Sequence, residues 1–467
     1  METKIARASI IAITPYFLIF SMQVFFASFL SVEIIGQFAL VNFLLLFFMT
    51  STNWGADKYI ITNKAITKDG TNEIFTQEII FAIIVYLICL FVFRENVMNY
   101  TGLEDSWLFW VFLALIFLYH PLSRSKALLE KEMSLTRAYM PALISNLLGA
   151  ILGIFFLQNG FGIWSMVIWK MSIFIFEDII LLVSSPNRPG FKISCENIRP
   201  HFRFCLPLFL GALFSFFSVT ADIWIVNNML GQYELGLYWF AFSISHVALA
   251  FRAVIIKILL PALSRKKSIE DKIILFSNLN IVLQIFFVAV TIITAYWGRD
   301  IFILIFGSKW SMAAPLFVIL VYAVAFKVIS GTANTLLHSI MKTDIDLNVA
   351  IVNTIVLIPI VVIATYFFGV TGTASAILTS TVLMTFYVYQ THVKKVCNLG
   401  FWYFFSYLTI NLTSLILVTN FFYQYLDNIV GKIIATIASS LFAYMVLKLP
   451  SLTGRKISIE SVLAQKI

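Results

Sequence analysis

Apolar residues in this chain come in long unbroken runs joined by short polar segments, and most runs are about as long as a bilayer is thick. A helix needs about 20 apolar residues to span the hydrocarbon core, where its backbone must satisfy its own hydrogen bonds. Closed β-barrels also span, but they require alternating polar and apolar positions, and the run Ile351 to Phe368 does not alternate. The pattern predicts an all-α integral membrane protein with about 14 transmembrane helices. The first seven spans are Ala8 to Phe29, Ile35 to Thr52, Gln77 to Phe93, Ser106 to His120, Tyr139 to Leu157, Phe161 to Val183 and Phe202 to Thr220. The others are Leu235 to Ile256, Ile274 to Trp297, Ala313 to Ser330, Leu347 to Phe368, Thr371 to Gln390, Phe401 to Phe422 and Ile429 to Leu447. The fourth has only 15 residues before Pro121, so thirteen spans also fit. The first run is longer than a signal-peptide core and is followed at once by another, so a retained helix is expected.

Polar punctuation divides these spans. The segment Ser184 to His201 carries prolines, a glycine and charges, and reads as a linker between two six-span halves. The expected organisation is an N-terminal half over 1–183, a linker over 184–201, a C-terminal half over 202–390, and a two-helix extension with a tail over 391–467. The halves share matches at nearly constant offset, as an internal duplication would leave. Gly36 in Glu33-Ile-Ile-Gly36-Gln-Phe38 and Gly236 in Glu234-Leu-Gly236-Leu-Tyr238 are 200 apart. Ala127-Leu-Leu-Glu-Lys-Glu-Met133 resembles Thr335-Leu-Leu-His-Ser-Ile-Met341 at offset 208, and Gly162 matches Gly372 at offset 210. An even number of spans per half makes the repeats parallel, related by an axis along the membrane normal, and such repeats are a transporter architecture.

Composition agrees: 60% of residues are hydrophobic and 12% charged, against roughly 45–50% and 25% in soluble domains. The net charge of +9 could signal nucleic acid, but the 32 Lys and Arg sort by side of the membrane. With the N-terminus inside, and with Arg203 and Lys432 at the edges of their spans counted with the adjoining segments, 25 fall in inner segments, four in outer ones (Arg94, Arg299, Lys309, Lys432) and three deeper within spans (Lys170, Arg252, Lys327). That bias predicts an N-in, C-in orientation and some attraction to anionic lipid headgroups, with no nucleic-acid partner. The four cysteines suggest neither disulfide nor metal site.

The twelve-plus-two plan, the openings in which one or two residues separate an acidic residue from Gly-x-aromatic at Glu33/Gly36/Phe38 and Glu234/Gly236/Tyr238, the segment Asn53-Trp-Gly55-Ala-Asp-Lys58, and Asp222 in Asp222-Ile-Trp-Ile-Val-Asn-Asn-Met-Leu-Gly231 resemble one family. It is the polysaccharide exporter branch of the multidrug/oligosaccharidyl-lipid/polysaccharide flippase superfamily, the O-antigen-type flippases. The resemblance covers the whole chain. It implies a bacterial inner-membrane protein that turns undecaprenyl-pyrophosphate-linked oligosaccharide repeat units over to the periplasmic leaflet. Its implied partners are that lipid-linked substrate, membrane lipids and a glycan polymerase.

Ionisable groups near the bilayer centre are costly and are site candidates by default. Lys170 lies nine residues into the sixth span, about 13 Å deep at 1.5 Å per residue. Glu177 and Asp178 are its expected partners, either in a structural ion pair or in substrate or ion coupling. His246 lies eleven residues into the eighth span, where a packing role competes with a cavity role implied by the resemblance. Arg252 and Lys327 fall near the inner ends of their spans. There they can snorkel to headgroups or supply cations to a pyrophosphate, which guanidinium binds bidentately. Lys58 and Lys257, at offset 199, sit near the inner surface as cavity rim or topology anchors. Asp222 is expected at the outer end of the seventh span, as a cap or, by the resemblance, in a gating polar network. Trp164, Trp169, Trp239, Trp297 and Trp402 read as interfacial or lipid-facing.

No cofactor is expected; coupling to protons or sodium is left open. No Walker loop, HExxH helix or Gly-x-Ser-x-Gly elbow is present, which argues against an enzyme. Asp344 and Asp346 resemble a metal-binding acidic pair but lack a soluble domain around them. The alternatives to a flippase are a drug or cation antiporter of the same superfamily, which would favour a carboxylate-lined pocket, and a glycan polymerase or ligase, which would need a larger outer loop.

Overall fold

The apolar runs fold as helices because only a helix satisfies every backbone group within a single membrane-spanning segment. A computed structural model describes residues 2–52, 55–62, 66–102, 107–117, 124–132, 134–184, 190–192, 198–249, 252, 255, 259, 263, 268–340, 345–397, 405 and 428–448. All regular structure among these residues is helical. The helices are α1 (Glu2–Phe29), α2 (Val32–Thr52), α3 (Ala56–Thr62), α4 (Lys68–Val92), α5 (Arg94–Thr101), α6 (Trp107–Phe117), α7 (Arg124–Lys131) and α8 (Leu135–Gln158). They continue as α9 (Ile163–Ser184), α10 (Ile198–Leu230), α11 (Gln232–His246), α12 (Ile269–Phe306), α13 (Ala313–Ser339), α14 (Ile345–Val388), α15 (Lys394–Cys397) and α16 (Ile429–Lys448).

Seven stretches of the described residues are long and apolar enough to cross a membrane, and the longest, Leu347–Cys397, holds two predicted spans. The helix breaks between those two at Gly369, whose φ of +60° lies in a region glycine enters freely. Large apolar side chains such as Phe91, Ile151, Leu304 and Phe367 are exposed, as lipid-facing surfaces require. The protein is an all-α multi-pass membrane protein. The thirteenth predicted span, apart from Phe405, lies outside the described residues, as does Trp402.

Several helices outrun the apolar pattern. α10 continues to Leu230, ten residues past its predicted end, so Asp222 lies inside a helix rather than at its outer end. α13 continues to Ser339, so Lys327 lies within the helix and not close to its end. Regular α11 ends at His246, but after a turn at Val247 the described residues Ala248, Leu249, Arg252 and Ile255 are helical again, so His246 marks a local break.

Contacts divide the chain into two compact units, residues 1–240 with 350–365, and residues 241–349 with 366–467. In the first unit, α8 and α9 pack closely along their lengths. Gly149 and Gly153 lie one turn apart on α8, and a Cβ there would come within 2.8 Å of Ile173 and 2.7 Å of Trp169 on α9. Small residues at this spacing let membrane helices approach. Trp169 is consequently 1% exposed, against Phe26 at 5.4 Å and Phe38 at 6.3 Å. Trp169 and Trp239 therefore belong to the protein interior and not to the lipid interface.

In the second unit, Phe276, Leu283 and Phe287 of α12 share a core with Tyr322, Phe326 and Ile329 of α13. α16 docks on α12: the Tyr296 and Ser439 hydroxyls meet at 2.8 Å, Trp297 donates to Thr436 at 3.2 Å, and Lys432 pairs with Asp300.

Candidate functional site

Three predicted candidates, His246, Arg252 and Lys327, draw together in the second unit. The Phe242 and His246 rings, one turn apart on α11, stack at 3.7 Å. The imidazole Nδ1–H donates to the Phe242 carbonyl at 2.9 Å, which fixes the ring and leaves Nε2 buried with no hydrogen-bond partner. Across from it, the Lys327 ammonium of α13 lies 6.0 Å from the Phe242 ring centroid, within cation–π range. Its charge acts on His246.

Arg252 reaches α13 one turn further along. Its guanidinium lies over Gly331, four residues after Lys327. No described carboxylate pairs with Arg252, and α13 contains no acidic residue. The cluster therefore presents a point-charge ammonium and a planar guanidinium within largely apolar helices, beside an imidazole whose Nε2 is an acceptor. Such a set suits a phosphate-bearing anion.

Lys170 is disposed differently from its expected pairing. Its ammonium lies 5.7 Å from the Phe174 ring and 6.0 Å from that of Trp169, and no described acid pairs with it. Glu177 instead accepts from Lys126 of α7 at 3.0 Å. Seven residues along a helix is about 10 Å, and Lys126 is the nearer cation. Asp178 is buried beside this pair, with Oδ1 lacking a hydrogen-bond partner.

Asp222, 1% exposed on α10, accepts a hydrogen bond from the Tyr238 hydroxyl of α11. Its partner is thus the aromatic residue of the repeated opening. Lys58 is exposed on α3, and Lys257 lies outside the described residues, as do Asp344 and the side chain of Asp346.

Sequence reasoning missed one buried pair. Arg124 at the start of α7 binds Glu78 of α4, donates to the Thr71 carbonyl at 2.9 Å, and lies over the Phe75 ring at 5.4 Å. The two side chains are 4% and 5% exposed. Burial pulls the guanidinium down to about 10 while Glu78 opposes the shift, so it keeps its charge at neutral pH. The available signal was a glutamate inside an apolar run, Glu78, which should have prompted a search for a cation.

Comparison with known proteins follows the same lines. A family model described as "Polysaccharide biosynthesis protein" matches residues 25–315, more than half of the chain. A Klebsiella pneumoniae protein described as an uncharacterized membrane protein in the cps region is 22% identical over 353 residues, 73% of this chain and 72% of its own. The lipopolysaccharide biosynthesis protein WzxC of Escherichia coli (strain K12) is 22% identical over 211 residues, 45% of this chain and 43% of its own. Among solved structures, the lipid II flippase MurJ in an inward closed conformation matches with a TM-score of 0.69 and 16% identity, over 95% of this chain and 99% of that one. An inward-facing multidrug resistance MATE family transporter of the MOP superfamily matches at 0.60 and 15% identity, over 80% and 92%. At these identities the two structures speak for the fold alone.

Proposed function

The chain belongs to the polysaccharide biosynthesis protein family, and from that premise we propose that it is a flippase for undecaprenyl-pyrophosphate-linked oligosaccharide repeat units in surface polysaccharide synthesis. The observation that carries this reading is the convergence of Arg252, Lys327 and His246 in an apolar setting. A diphosphate leaving water needs charge-assisted hydrogen bonds to replace its hydration, and Arg252 and Lys327 supply donors of the right sign, while His246 packs beside them.

The protein sits in the bacterial inner membrane with both termini in the cytoplasm, as the distribution of Lys and Arg supports. The headgroup enters from the cytoplasmic leaflet, the polyprenyl tail stays in lipid, and the site alternates between the two faces. Lys170, whose ammonium lies 5.7 Å from the Phe174 ring, Lys58 and Lys257 are further candidates for contact with the anionic headgroup. Asp222 works through Tyr238 in a gating polar network between α10 and α11. Glu177, paired with Lys126, and Asp178, buried next to it, are the candidates for coupling to a proton or sodium ion. A glycan polymerase is the expected downstream partner.

The protein acts as a transporter, moving its substrate without making or breaking a bond. An antiporter of the same superfamily would carry cationic compounds, which the cluster's charge would repel. The test compares a deletion strain with its parent. Loss of surface polymer with accumulation of complete, unpolymerised lipid-linked repeat units supports the flippase; unchanged glycan with altered sensitivity to cationic compounds supports the antiporter.

A further inference from the structure

We infer that Gly331 is a positioning residue for diphosphate recognition, holding the Arg252 guanidinium against the backbone of α13 beside Lys327. The inference rests on the proposed function of the cluster. The three atoms nearest to a Cβ at Gly331 all belong to Arg252, with Cζ at 2.6 Å and Cδ at 2.9 Å. All three are side-chain atoms. The missing side chain is thus a seat for one particular group, and any larger residue takes it.

The seat matters because of its register. Lys327 and Gly331 are four positions apart on one helix, about 6 Å along its axis and on nearly the same face. α13 therefore carries one cation of its own and, one turn on, recruits a second from another segment. Two cations at that spacing, one a point charge and one a bidentate fork, suit two linked phosphates better than one. The ligand class is a diphosphate ester, and Gly331 determines where the second phosphate is met.

The same geometry makes the inference separable from stability. An alanine at 331 collides with the far end of a flexible side chain, which can swing away while α13 keeps its own packing. The experiment measures binding of inorganic pyrophosphate to the purified full-length protein at low ionic strength, together with thermal unfolding. Gly331→Ala is expected to weaken binding about tenfold, as Arg252→Ala does, with an unchanged unfolding midpoint. Combining the two substitutions should add nothing, because the guanidinium can be lost only once. Wild-type affinity in Gly331→Ala, or a further loss when it is added to Arg252→Ala, overturns the inference. No pyrophosphate binding by the wild-type protein would instead overturn the phosphate reading of the whole cluster. If Gly331→Ala alone proves unstable, Arg252→Ala/Gly331→Ala decides. Recovery of the wild-type midpoint supports a seat for the guanidinium, and continued instability shows that the glycine serves helix packing.

Discussion

Gly36 of α2 and Gly236 of α11 face one another so closely that a Cβ on either would overlap the other helix's backbone. The obstacles are reciprocal: the carbonyl of Gln232, four residues before Gly236, blocks Gly36, and that of Val32, four residues before Gly36, blocks Gly236. A contact in which each partner presents the same surface to the other is the signature of a local two-fold. Here the partners are the two openings that the sequence repeats at an interval of 200.

Because the obstacle is backbone on both sides, neither glycine tolerates a side chain. Gly36→Ala and Gly236→Ala should each cost about 1–3 kcal/mol, the usual penalty for overpacking. The double variant should cost less than the sum, since the first substitution already separates the helices. Thermal unfolding of the purified variants reads this directly; additive losses would mean that the two sites are independent.

The hydrogen bond from Tyr238 to Asp222 joins the same opening to α10. Tyr238→Phe keeps the ring but removes a donor from a buried carboxyl, at an expected cost of about 1–3 kcal/mol. Asp222→Asn, which can still accept, should be milder. Equal stability of Tyr238→Phe and wild type would show that the bond contributes nothing.

Lys126 is the cation that offsets Glu177, with Asp178 alongside. Removing it in Lys126→Ala leaves two adjacent carboxylates without a counter-charge, a loss on the order of 2 kcal/mol given the partial exposure of the lysine. Adding Glu177→Gln to that variant should restore part of the stability. A double variant less stable than Lys126→Ala would contradict the charge account.

Arg124 and Glu78 form a more deeply buried pair. Arg124→Ala strands the Glu78 carboxylate and should cost about 3–5 kcal/mol. Burial limits screening, so the loss should change little between low and high salt. A loss that vanishes in high salt would indicate a surface pair.

Much of the fold was legible because hydrophobicity alone sets where membrane helices lie. α8 starts four residues before the predicted Tyr139 and ends one after Leu157. The pattern failed where polar residues turn inward. Asp222 interrupts an apolar run, yet it sits in mid-helix, where the Tyr238 hydroxyl donates to it. Gly331-Thr-Ala-Asn334 looks like the end of a span, yet α13 continues through it because Gly331 and Thr332 face other protein groups. Of the candidate site, the ionisable residues themselves were legible from their depth. Their pairings were not: Lys126 meets Glu177 across 51 residues of sequence, and no local spacing encodes that contact.

The central claim is translocation, and leaflet accessibility in proteoliposomes tests it most directly. Lipid-linked repeat units extracted from the deletion strain would be reconstituted with the purified protein, and the fraction reachable by an impermeant glycan-modifying reagent followed over time. The account predicts that wild-type protein makes the protected half of the substrate accessible, and that Arg252→Ala and Lys327→Ala proteins leave it protected. Substrate that stays protected with active, correctly reconstituted wild-type protein would contradict it.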